Sequence, residues 1–203
     1  MSRVGDLLAF ESSSDPSTGA DTQVAQLWLA SMRTGMAGAL TAGQAPSEHP
    51  AVSADGRLVV FDTAANLAGD GADTGVRQVY VYDIRAGQFG RLTDDPSGCK
   101  GPSIHKFRAD WRIAYQCGAQ PFFALLRANL HFQVPIADAD TTRVVAEAGY
   151  QFLLLATTAD LIARSGTTPA HEVYLLNLYK SPPVPVGGGT FWFPRADGPL
   201  PLF

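Results

Sequence analysis

Charge is scarce in this chain: Asp, Glu, Lys and Arg make up only 17% of it, and the net charge is −4 at pH 7. No cluster of Lys or Arg stands out. A nucleic-acid groove needs concentrated positive charge to displace counterions, so no nucleic-acid partner is expected. An anionic membrane surface is disfavoured for the same reason. Long apolar runs are missing too. None approaches the roughly 20 residues of a membrane span, so no membrane insertion is expected. Met1 to Asp6 carries one positive charge and then an acidic residue, and the apolar stretch Leu7 to Phe10 is too short for a signal-peptide core. No export address is visible, and the compartment stays unassigned by these residues.

Motifs that carry chemistry are equally thin. There is no G-x-S-x-G elbow and no phosphate-cradling G-x-x-x-x-G-K. Gly69-Asp70-Gly71 is a fragment of a dinucleotide fingerprint and reads as a flexible turn, as does Gly187-Gly188-Gly189. His171-Glu172 lacks the second histidine of a zinc-protease helix. Asp70-Gly71-Ala72-Asp73 offers two carboxylates without the Asp-x-Asp-x-Asp ladder of a calcium loop. No catalytic residue, metal ligand set or cofactor is therefore assigned.

What the chain does have is repetition. Hydrophobic residues reach 46%, enough to bury a core, and 20 glycines and 14 prolines punctuate many short segments. The clearest unit starts at His49-Pro50-Ala51-Val52-Ser53 and turns at Ala54-Asp55-Gly56. The apolar run Leu58-Val59-Val60-Phe61 follows, then a polar loop from Thr63 to Arg77. Next come Gln78-Val79-Tyr80-Val81-Tyr82-Asp83-Ile84, a turn at Arg85-Ala86-Gly87, and a short strand ending at Arg91-Leu92-Thr93. Gly5 to Phe10 repeats Gly56 to Phe61 at an offset of 51, and Gln26-Leu27-Trp28-Leu29 repeats Gln78-Val79-Tyr80-Val81 at 52. Ala39-Leu40-Thr41 matches Arg91-Leu92-Thr93. A shortened third copy begins at Gly101-Pro102-Ser103-Ile104, and a fourth holds Phe152 to Leu155 and Glu172 to Leu176. In the tail, Ala196-Asp197-Gly198 mirrors the first turn.

Asp-Gly between apolar runs marks a hairpin, because Gly accepts positive φ without steric cost. Gly35, Gly87 and Asn129 can meet the same need at the second turn. An unbroken run such as Leu58 to Phe61 implies burial on both faces of a sheet. A β-propeller blade, sandwiched between neighbours, satisfies that, and four strands per roughly 40 to 50 residues is its signature. The reading is one all-β propeller domain over 1–203, with about four four-stranded blades near 3–44, 48–95, 100–137 and 142–186. Residues 187–203 would start a further blade or supply a closing strand.

The pattern Pro-x-x-Ser-x-Asp-Gly, apolar run, loop, Val-Tyr-Val-x-Asp, Gly, Leu-Thr resembles the WD-repeat-like blades of TolB-type propellers. Pro50, Ser53, Asp55, Gly56, Phe61, Val79, Tyr80, Asp83, Gly87, Leu92 and Thr93 carry it. Such blades occur in periplasmic translocation proteins, in the caps of serine peptidases and in many secreted bacterial proteins, so the resemblance implies a periplasmic or extracellular setting. It also implies six blades where this chain encodes about four. The wedge angle of such blades favours a piece of a six-bladed or larger propeller over a four-bladed ring. Open blade faces would then invite self-association.

The leading functional expectation is a non-catalytic binding or scaffold module that recognises a protein or peptide through loops and the channel rim. The candidate residues are Asp15, Asp21, Asp70, Asp73, Arg77 and Asp160 in loops, with His49 and His105 on the first strands of two blades. The alternatives are a propeller enzyme or enzyme-accessory domain, either a polysaccharide lyase or peptidase-associated, and a truncated relic without independent function. Cys99 and Cys117 lie symmetrically about residue 108, where the third blade's first hairpin turns. They could pair across that hairpin, stabilising it by about 3 kcal/mol and implying an oxidising compartment, or stay two buried thiols.

Overall fold

The computed structural model describes residues 6–69, 75–107, 109–134, 142–148, 152–157, 172–177, 185–186 and 189–190. Among these every regular element is a strand. The first sheet comprises β1 (Leu7–Ser14), β2 (Asp21–Ser31) and β3 (Ala37–Ala39). The second comprises β4 (Ser47–Val52), β5 (Leu58–Thr63), β6 (Gln78–Asp83) and β7 (Gln88–Arg91). The third holds β8 (Cys99–Phe107), β9 (Asp110–Cys117), β10 (Gln120–Leu125) and β11 (Leu130–Gln133). The fourth holds β12 (Thr142–Ala148), β13 (Phe152–Thr157) and β14 (Glu172–Asn177). A ribbon of β15 (Pro185–Val186) and β16 (Gly189–Thr190) completes the described residues. Each sheet is a meander in chain order, as propeller blades are. The chain divides into two compact units, Met1–Lys106 and Phe107–Phe203.

In the first unit, turn chemistry sets the blade. Ser53 Oγ donates to Asp55 Oδ1 at 2.7 Å and accepts the N–H groups of Arg57 at 3.1 Å and Leu58 at 2.9 Å. Gly56, at φ 69°, closes the turn by donating to the Ser53 carbonyl. The Ser-x-Asp-Gly signal is thus a small bonded scaffold that launches β5. The second turn works likewise. Asp83 Oδ1 accepts the N–H groups of Arg85 and Ala86, and Gly87 takes the positive φ. In the third blade Asn129, at φ 51°, stands in the corresponding turn.

All six residues of β5 are buried, as its unbroken apolar run requires. Leu27 from the first blade joins Val52, Val59, Phe61 and Tyr80 from the second in one cluster, with Leu7, Ala9 and Leu29 against it. The core of this unit therefore lies between two blades, where β1 and β2 meet β4. Phe61 stacks on Tyr80 with centroids 6.0 Å apart and meets Phe89 edge-on.

Both blades share a buried clasp. Thr93 Oγ1 donates to Gln78 Oε1 at 2.7 Å and accepts the Val79 N–H at 2.9 Å. Thr41 does the same to Gln26 Oε1 and the Leu27 N–H, each at 2.9 Å. Each clasp satisfies the backbone where the blade's last strand runs out, so the recurring Leu-Thr ending has a physical cause.

In the second unit β9 is buried along nearly its whole length. Tyr115 stacks on Phe122 and Phe123 on Phe132, and the buried Arg112 guanidinium lies 5.1 Å over the Phe123 ring. β12 packs against β9 and β10.

Candidate functional site

The site begins with an irregularity in β4. Glu48 faces Asp62 and Ala51 faces Val60, so His49 and Pro50 form a bulge. Pro50 has no N–H to give the ladder. His49 precedes a proline, a place where sterics favour extended backbone. It nevertheless adopts φ 55°. A left-handed non-glycine residue costs about 1–2 kcal/mol, so the surroundings must hold it.

They hold it from two blades. The His49 N–H donates to Glu11 Oε1 of β1 at 2.6 Å. Its ring Nδ1 lies 2.8 Å from Asp62 Oδ2 of β5. Asp62 is fully buried and also takes Arg77 Nη1 on Oδ1 at 2.5 Å and the Gly101 N–H on Oδ2 at 2.8 Å. Arg77 Nη1 reaches Glu48 Oε2 at 2.6 Å as well. The side chains of His49, Glu48 and Arg77 remain 38%, 32% and 26% exposed. A buried carboxylate thus anchors a half-exposed polar rim.

The arrangement repeats. Glu11 and Asp62 occupy one repeat position, as do His49 and Gly101. Each carboxylate accepts the N–H of a positive-φ residue at the start of the next first strand. In the third blade Gln116 takes the position, buried, with its amide donating to the Gly118 carbonyl at 2.7 Å.

The hydrogen bond from Asp62 raises the His49 pKa, burial opposes it, and the charges of Asp62, Glu11 and Glu48 add to the rise. Burial works against the Arg77 charge, but its bonds to Asp62 and Glu48 outweigh that and hold its pKa above the ordinary value. Ligand atoms of Glu48, His49 and Asp62 lie within 4.8 Å of one another. Arg77 Nη1, bonded to both carboxylates, already puts positive charge where a cation would compete.

Of the residues expected from the sequence, His49 and Arg77 come together here. Asp15 instead caps its own turn, accepting the N–H and hydroxyl of Ser17, which hold its carboxyl below the usual range. Asp21 accepts the Gln23 N–H in the same local way. His105 sits half-buried on β8. Asp70, Asp73 and Asp160 lie outside the described residues. Cys99 and Cys117 are disulfide-bonded and buried. Sequence reading missed Glu11, Glu48 and Asp62. The signal was a carboxylate directly after an apolar run at one repeat position, in Phe10-Glu11 and Phe61-Asp62.

No protein-family model matches the chain. No curated protein matches it. Among solved structures, TolB from Acinetobacter baumannii is 14% identical with a TM-score of 0.59, over 87% of this chain and 39% of that one. A TolB from Agrobacterium tumefaciens is 15% identical with a TM-score of 0.62, over 88% and 60%. A prolyl endopeptidase is 13% identical with a TM-score of 0.56, over 97% and 28%. The chain spans less than two thirds of each. These likenesses place its fold with TolB-like β-propellers.

Proposed function

We propose that this chain is a propeller-type binding module that recognises a protein or peptide through its loops and the polar rim at His49. The observation that carries this reading is the anchored rim. Asp62, fully buried, fixes His49 and Arg77, while their outer atoms and those of Glu48 stay open to solvent. Polar groups held rigid before a partner arrives lose little entropy on binding, which suits recognition. The fold itself leaves the activity open, since one scaffold serves many functions.

Panning a random peptide library on the chain tests it, with affinities of enriched peptides read by fluorescence anisotropy. At least one peptide should bind with Kd below about 100 µM and weaken about tenfold or more in Glu48→Gln, a loss of about 1.4 kcal/mol. No enrichment over a scrambled library, or equal affinity for the variant, rejects the reading.

The His49–Asp62 pair favours a second reading, a propeller enzyme or enzyme-accessory domain. An imidazole oriented by a buried carboxylate is one half of an acid–base device. Turnover on a peptide or polysaccharide panel that vanishes in His49→Gln would support it.

A further inference from the structure

His49 touches both of the first two blades, with its backbone on one and its ring on the other. We propose that His49 is a pH-sensitive latch between these blades, its N–H bonded to Glu11 and its imidazole bonded to Asp62. The inference is separate from the binding reading and survives its failure.

Comparison with Gly101 shows what the ring adds. Gly101 makes the same backbone bond to Asp62 at φ 63°, with no side chain and no strain to restrain. His49 takes that conformation with a Cβ and ahead of a proline, so something must hold it there. Its ring bond to Asp62 closes the bulge onto β5. Losing that bond frees the bulge to relax toward extended backbone, which carries the His49 N–H away from Glu11.

The charges around the ring come from several elements. β1 supplies Glu11, β4 supplies Glu48, and β5 supplies Asp62. Arg77, just before β6, is bonded to the last two. β2 carries Asp21, whose carboxylate is engaged with the Gln23 N–H. β8 brings the Gly101 N–H and carries Lys100, His105 and Lys106. With a protonated ring, the three carboxylates face two cations; with a neutral ring they face Arg77 alone. The bond to Asp62 then keeps its charged acceptor but loses the attraction between two opposite charges, and so weakens.

The direction in pH follows. Asp62 raises the pKa of His49 in the folded chain. Its stabilisation is full below the ordinary value of 6.5 and is lost as pH rises through the raised folded value. The latch is closed on the acid side and loosens on the alkaline side.

Hydrogen exchange read by mass spectrometry on 7–14 and 47–52 tests this, alongside His49→Gln, which keeps a donor near Asp62 and does not titrate. Corrected for intrinsic pH dependence, exchange in these segments should quicken about threefold or more between about pH 6 and 9 in the unmodified chain and stay level in the variant. An equal rise in both, or no rise in the unmodified chain, overturns the proposal. Should the variant fail to fold, NMR titration of the His49 ring in the unmodified chain decides. A midpoint above 6.5 supports the latch, and one at or below it refutes it.

Discussion

Replacing Asp62 with alanine is the most demanding test of the site. The substitution removes a fully buried carboxylate and takes one acceptor from each of three donors: Arg77 Nη1, the His49 ring and the Gly101 N–H. Breaking a buried charge pair typically costs about 3–5 kcal/mol. Here Arg77 keeps Glu48 as a partner, and Arg77 and His49 are 26% and 38% exposed, so water replaces part of the loss. The lower end, about 3 kcal/mol, is therefore expected. With an m-value of about 1–3 kcal/mol/M, the urea midpoint of the first unit should fall by about 1–3 M. Urea unfolding followed through Trp28 measures it, in a background where Trp111 and Trp192 are replaced by Phe. Glu11→Gln is the control: that side chain is exposed and accepts one backbone N–H, so its loss should stay near or below about 1 kcal/mol. A midpoint shift for Asp62→Ala no larger than for Glu11→Gln would mean that Asp62 anchors nothing, and the description of the rim would fail.

Thr93→Val keeps the shape of the buried clasp and strips the hydroxyl from Gln78 and the Val79 N–H, so a loss of about 1–3 kcal/mol is expected, with Thr93→Ser largely recovering it in the same denaturation assay. Phe61→Ala empties the contact between two blades and should cost about 3–5 kcal/mol; a loss below about 1 kcal/mol would show that the blades do not share a core. Bonds from the Ala86 N–H, Arg57 and the Arg85 N–H hold the Asp83 carboxyl below its ordinary value of 3.8, with burial opposing. Its stabilisation is present above that value and lost as pH falls through the lowered folded one, so Asp83→Asn should flatten the acid limb of a melting-temperature profile. Cys99 and Cys117 should resist thiol reagents in the unfolded, unreduced chain and react after reduction; two reactive thiols beforehand would contradict the disulfide.

The blades were legible because their causes are local. Leu58 to Phe61 is apolar at every position, and all four residues are buried. The Ser-x-Asp-Gly and Asp-to-Gly turns read correctly because each is satisfied within a few residues of itself. The same locality engages two of the loop carboxylates. Asp15 and Asp21 look available in sequence, but each finds a partner two residues on. The repeat alignment matched Gln26 with Gln78 and Thr41 with Thr93, yet it assigned those residues no role. Hydrogen bonding between strands far apart in the chain supplied it.

Strand spacing, turn chemistry and the need for cover on both faces of each sheet were set by the sequence alone, since hydrophobic periodicity and turn residues act over a few positions. Only the tertiary structure decided which polar groups meet. Glu11 receives the N–H of His49 across 38 residues, and Asp62 that of Gly101 across 39, because one blade lies against the next. A buried carboxylate takes whichever donors the neighbouring blade presents, and that proximity depends on how the sheets pack.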